Sequence, residues 1–333
     1  MEWYLPVIWA ALLGTAVVMY VVLDGFDLGV GILFPTSRSE VERDQMMRSV
    51  APFWDGNETW LVLGGGGLLV AFPLAYAIIM PALYLPVIVM LIGLVFRGVA
   101  FEFRTVSRSK TWLNVTFALS SAIATFAQGL VLGGLIQGIP VRDGAYAGGP
   151  FDWATPFAFL CGLALIAGYG LLGATWLAMK TEGAVAHRAR RQSKILLLVV
   201  LAFMVVVSLW TPLTEPRVAE RWFSLPNFYY LWPIPAVTAL TAYLAWRWIE
   251  NGRDVAPFLA VIALFLLGFL GLLISNFPYL VPPSLTIWDT AAPPASQIFM
   301  LLGTLVLLPI IIGYIAFIYW IFRGKVREGE SYH

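Results

Sequence analysis

Cysteine is nearly missing from this chain. Cys161 stands alone, which excludes an internal disulfide and any cysteine-ligated metal cluster. It lies in an apolar run, where a lone thiol reads as a small core residue. Histidine is almost as scarce: His187 falls in a basic stretch and His333 is the last residue. With no histidine in any apolar segment, neither haem ligands nor a metal site is expected in this chain. Charge is short too. Asp, Glu, Lys and Arg make up 12% of the residues, against about 25% in a soluble domain. What fills their place is hydrophobic: 60% of the 333 residues, with a mean hydropathy of +0.83. An ordinary soluble domain is excluded, and the chain reads as a polytopic membrane protein. No nucleic-acid motif, phosphate-binding loop or low-complexity tail occurs. The start, Met1-Glu2-Trp3-Tyr4, lacks a basic n-region, so no cleaved signal peptide is expected.

A helix needs about 20 apolar residues to cross the hydrocarbon core. Nine stretches qualify, at about 5–34, 53–72, 74–103, 112–138, 154–179, 193–211, 228–249, 255–276 and 297–322. The second and third meet at Pro73 with almost no loop. Read as one helix, residues 53–103 would run about 75 Å, far beyond a bilayer, so two spans are the better reading. Pro81 and Pro86 then predict kinks in the third. The fold expected is all-α, a single integral membrane domain over residues 1–333. Its nine transmembrane helices would form two four-helix bundles plus one peripheral helix.

The basic residues orient these spans. With nine crossings, 17 of the 20 Lys and Arg fall on one side, and Arg142, Arg217 and Arg221 on the other. An eight-span count divides them less cleanly. The positive-inside rule makes the crowded side cytoplasmic. The N-terminus is then external and the C-terminus cytoplasmic. Aromatic residues over 211–235, among them Trp222, Tyr229, Tyr230 and Trp232, suit an interfacial belt. Prolines over 275–297 predict a structured, non-helical external loop.

Acids stand where lipid should discourage them. Asp55 and Glu58 share one face at the mouth of the second span, by their i, i+3 spacing. Asp24 and Asp27 lie inside the first, Asp24 about 15 Å before its end. Such carboxylates could cap a helix, pair with buried bases, or carry ions or protons. Arg97 and Arg104, two turns apart at the end of the third span, are the candidate charge partners, with Glu102 between them on another face. Gly25 and Gly29 make a small-residue face for close helix packing. Gln128, Gln137 and Ser120-Ser121 of the fourth span could extend the hydrogen bonding. The glycine run 64–67 lacks the Lys and Ser/Thr of a nucleotide loop and suits helix packing. From residues alone, a redox-partner proton route and an ion- or proton-coupled secondary transporter both remain open.

The runs DGFDLGVG, APFWDGNETWLVLGGGG and FRGVAFEFR, with SLTIWD before the last helix, resemble subunit II of cytochrome bd-type quinol oxidases. The short chain resembles the cyanide-insensitive branch most. The resemblance spans nearly the whole sequence, in order. It implies a bacterial inner-membrane complex that oxidises quinol, reduces dioxygen to water and builds a proton motive force without pumping. It implies that subunit I, the partner, holds two haems b and a haem d or a further haem b. A small accessory subunit and a structural quinone or lipid also belong to this picture. It implies a proton path from the cytoplasm through Asp55, with Glu58, Asp24, Asp27 and Glu102 as further carboxylates. Where some relatives have Asp, this chain has Glu102, so the acid is kept but its reach differs.

Overall fold

The computed structural model describes residues 3–327; Met1, Glu2 and His333 lie outside them. In chain order the helices are α1 (Tyr4–Leu33), α2 (Glu40–Val50), α3 (Trp54–Ala71), α4 (Pro73–Val106), α5 (Thr111–Gln137), α6 (Pro156–Lys180), α7 (Gly183–Thr214), α8 (Pro216–Phe223), α9 (Asn227–Leu231), α10 (Pro233–Glu250), α11 (Val255–Asn276) and α12 (Pro294–Ile321). A short 3-10 helix (Phe34–Thr36) and two small antiparallel hairpins complete the regular elements among the described residues. The hairpins pair β1 (Val141–Arg142) with β2 (Ala145–Tyr146), and β3 (Tyr279–Val281) with β4 (Leu285–Thr286).

Seven helices, α1, α4, α5, α6, α7, α11 and α12, are long and apolar enough to cross a membrane. Helices α3 and α10 stand where two further spans were expected but do not meet that measure. The reason lies in their sequences. Helix α3 spends its first turns on Asp55, Asn57 and Glu58 and its middle on four glycines, while α10 ends on Arg247 and Glu250.

Three boundaries differ from expectation. The basic stretch before residue 193 is not loop: α7 begins at Gly183, ten residues early. The span expected over 228–249 is broken, α9 ending at Leu231 and α10 starting at Pro233. Between α1 and α3 lies α2, whose Ser39 side chain accepts from the Glu42 amide at 3.2 Å. Ser39-Glu40-Val41-Glu42 has the form of a capping box. The division at Pro73 stands, and Leu83 between the two prolines of α4 leaves helical geometry at φ −119°, ψ 16°.

Helices α1, α4, α5 and α6 interlock most closely; α7 and α11 pack beside α6, α10 lies against α11 and α7, and α3 and α12 lie against α1. Glycine sets two close crossings on α6. A Cβ on Gly29 would sit 1.9 Å from the Tyr169 carbonyl oxygen of α6. One on Gly129 of α5 would sit 2.4 Å from Gly162 Cα of α6.

Ion pairs tie one end of the bundle together. Arg188 of α7 grips Glu42 of α2 with two bonds of 2.8 and 3.0 Å. Arg190 and Lys325 both hold Asp254 before α11. At the opposite end Arg217 donates to the Ile136 carbonyl closing α5, at 3.0 Å, and Arg221 to the Phe277 carbonyl, at 2.8 Å.

Candidate functional site

Helices α1, α3 and α4 bring a carboxylate–arginine cluster together inside the bundle, toward its basic end. Arg97 is its centre. The guanidinium is 2% exposed and donates through Nη1 to Asp24 Oδ1 and through Nη2 to Glu58 Oε1, each at 2.6 Å. The Trp54 ring lies 5.8 Å from it, a distance at which a cation is attracted to an aromatic face. A fully buried Arg is tolerated in an apolar bundle only when paired in this way.

Asp27 lies one turn on and takes a different partner. Asn57 Nδ2 donates to its Oδ2 at 2.7 Å and to the Leu23 carbonyl at 3.2 Å. Tyr319 of α12 then donates to Asn57 Oδ1 at 3.2 Å. Among the described residues, Asp24 Oδ2, Asp27 Oδ1 and Arg97 Nε meet no well-formed hydrogen-bond partner. The cluster therefore keeps hydrogen-bonding capacity for water or for protons.

Deeper along α1, Gln128 of α5 donates to the Tyr20 oxygen at 2.7 Å and accepts from the Tyr169 hydroxyl of α6 at 2.8 Å. Of the other polar residues on α5, Gln137 accepts from Thr155, while Ser120 and Ser121 bond the Phe117 carbonyl of their own helix.

The structure does not draw every expected residue into this cluster. Asp55 is exposed in the first turn of α3, with no hydrogen bond to Arg97, and its charge acts on Glu58 one turn along. Glu102 is exposed on another face of α4. Arg104, two turns beyond Arg97, belongs to a second cluster: it holds Asn114 and Asp44 at 2.5 Å each and Glu40 at 2.7 Å. Its carboxylate partners come from α2, the helix absent from the sequence expectation. Burial pushes the Asp44 carboxyl up, but Arg104 and Lys110 outweigh it and hold it below its usual range.

Asn57, Tyr319 and Trp54 were not singled out in the sequence. Asn57 carried a usable signal, a third polar residue beside Glu58 where an apolar helix begins. Tyr319 carried none, because its partner lies more than 250 residues away.

Gly25 and Gly29 face α6, where a Cβ on Gly25 would meet the Tyr169 ring at 2.9 Å. Gly64, Gly65 and Gly66 meet nothing within 4 Å in this chain. Among the described residues no group of three or more His, Cys, Asp or Glu could hold a metal ion. His187 is exposed near the start of α7, outside the bundle core.

Long apolar helices around a buried acid–arginine cluster define a multi-pass membrane protein with a polar interior. Sequence comparison makes the class specific. The family profile described as cytochrome bd terminal oxidase subunit II matches residues 5–322, and the chain belongs to that family. It is 30% identical to cytochrome bd-I ubiquinol oxidase subunit 2 of Escherichia coli (strain K12), over 97% of this chain and 95% of that protein. It is 28% identical to cytochrome bd ubiquinol oxidase subunit 2 of Bacillus subtilis (strain 168), over 97% of each. Its fold matches a chain of the bd oxidase from Geobacillus thermodenitrificans with a TM-score of 0.73 at 19% identity, covering 96% of this chain and 98% of that one.

Proposed function

We propose that the chain is subunit II of a bd-type quinol oxidase, pairing with a haem-bearing subunit I in a bacterial inner membrane. Its family and the names of its relatives support the pairing and the quinol substrate. The haems of such a complex supply electron transfer and dioxygen reduction from subunit I. This chain stabilises the complex and offers a proton-uptake route from the cytoplasm, so proton motive force arises without pumping. The observation that carries the route is the Arg97 cluster, with carboxylates graded from exposed Asp55 through half-buried Glu58 to buried Asp24 and Asp27. Glu102 lies at the rim of α4, clear of the cluster.

We read nine crossings. Helix α3 starts beside the Arg97 cluster and ends where the Ala71 carbonyl accepts from Ala292 at 2.9 Å, at the far end of the bundle. Helix α10 ends at the basic side, where Glu250 meets Lys194. Each has 18 residues, or about 27 Å of helix, close to the hydrocarbon thickness. The interlocked α1, α4, α5 and α6 make one four-helix bundle, and α7 and α11, with α10 packed on both, make the second group beside α6. The open glycines of α3, with Gly303 and Gly313 of α12, suit the close approach of subunit I helices. An apolar groove lined by Pro86, Val89, Phe126, Trp153 and Phe159 suits a lipid or quinone tail.

The complex should be purified through a tag on this chain and its optical spectrum recorded. We expect a second, haem-bearing subunit and quinol oxidation. Purification without haem, together with ion-coupled uptake by the chain alone, would instead establish a transporter.

A further inference from the structure

Helix α12 is the least enclosed of the long helices. Gln297 is its one buried residue among those described. It is pinned near its start, where Trp9 Nε1 donates to the Gln297 carbonyl at 3.2 Å, and at its cytoplasmic end. That second pin is Lys180, the last residue of α6, which is 5% exposed and meets no carboxylate among the described residues. Its ammonium donates to the carbonyls of Phe322 and Gly324, the latter at 2.8 Å. It also lies 5.7 Å from the Phe53 ring and 5.6 Å from the Trp176 ring. A cation is favoured at a helix C-terminus, where carbonyls lack intrahelical partners. The chain beyond follows the same seam: Val326 N donates to the Lys180 carbonyl at 2.7 Å, and Gln45 donates to the Val326 carbonyl at 2.9 Å.

The pin leads to the acids. Tyr319, one turn inside the capped end, stacks on Phe53 at 4.4 Å and donates to Asn57, which holds Asp27. We propose that Lys180 is a positioning residue: by capping α12 it sets Tyr319 against the Asn57–Asp27 pair. This rests on the proton-uptake reading of that cluster.

The test uses the whole complex, with Lys180→Met, Lys180→Arg, Tyr319→Phe, the Lys180→Met/Tyr319→Phe double variant and Asp27→Asn. The readouts are kcat and KM for quinol oxidation. Lys180→Met is expected to lower kcat about fivefold, the size of effect from one lost hydrogen bond, with KM unchanged. Tyr319→Phe should match it, and the double variant should be no slower than either single one, because both act through one unit. Lys180→Arg should restore the wild-type rate, since it keeps the donors and the charge. If Lys180→Met does not assemble, Lys180→Gln, which keeps donors but loses the charge, takes its place and should lower kcat about twofold, the size of effect from a charge lost at a helix C-terminus. A wild-type kcat in the Lys180 variant, or additive losses in the double variant, overturns the proposal while Asp27→Asn is slow. A wild-type rate for Asp27→Asn overturns the uptake reading itself, and this proposal with it.

Discussion

Arg97 answers for two acids at once, so its removal should be the costliest single change in the cluster. Arg97→Met leaves Asp24, 0% exposed, with its charge unpaired. Breaking a buried pair in this way costs about 3–5 kcal/mol. We expect little assembled complex and a lowered thermal midpoint; a variant as stable as the wild type contradicts the pairing. Asp55 predicts the opposite pattern. It is exposed and its side chain makes no hydrogen bond or ion pair among the described residues, so Asp55→Asn should assemble with an unchanged haem spectrum. Asn fills the space of Asp but cannot exchange a proton. Steady-state quinol oxidation should slow by about a hundredfold, the low end of what a proton-transfer group contributes. Asp55→Glu should keep much of the rate. If Asp55→Asn turns over like the wild type, the acid serves the α3 dipole rather than the proton path.

At the scale of elements, the α1–α6 crossing is backbone against backbone. Gly29→Ala would set a methyl 1.9 Å from the Tyr169 carbonyl and 2.8 Å from Gly173 N, with no side chain able to yield. The helices must separate, and overpacking of this kind costs about 1–3 kcal/mol or more. Gly25→Ala meets side chains instead, the Tyr169 ring at 2.9 Å and Leu172 at 3.2 Å, which can turn aside. The yield of assembled complex should fall for Gly29→Ala well below that for Gly25→Ala. Equal yields would show that the crossing has slack. Because Asp24 and Asp27 flank Gly25 on the same helix, loosening this seam should also disturb the acids.

For the whole molecule, charge decides orientation and acid stability. The Lys and Arg gathered at one end predict a cytoplasmic C-terminus. A cytoplasm-active reporter fused after His333 should be active and a periplasm-active one silent; the reverse result refutes the orientation. The same end is sensitive to acid. Arg188 holds the Glu42 carboxyl below its usual range by hydrogen bonding and charge. Burial raises that of Asp254, but Lys325 and Arg190 outweigh it and the net shift is downward; Asp44 behaves alike. Depressed carboxyls stabilise the fold above their unfolded values, about 4. That contribution is lost as pH falls through the lower, folded ones. The thermal midpoint of the detergent-solubilised complex should hold from pH 7 to about 5 and drop below about 4. A flat profile into that range would show that these bridges contribute nothing.

The sequence by itself determined the class. Long apolar runs need a bilayer, sided basic residues predict an orientation that the reporter fusion tests, and the acids of DGFD and WDGNE have few reasons to sit in lipid. Those are local properties, written in neighbouring residues. Which acid meets which base was not local. Arg97 and Arg104 stand on one face of α4 with the same chemistry, and two turns of rise deliver one to α1 and α3, the other to α2. Helix α2 is polar, so no hydropathy signal announced it, although its capping box was readable. The contacts of Tyr319 with Asn57 and of Lys180 with the end of α12 join residues more than 140 positions apart. Only packing of the whole bundle places them together, because the distance that matters lies across helices and not along the chain.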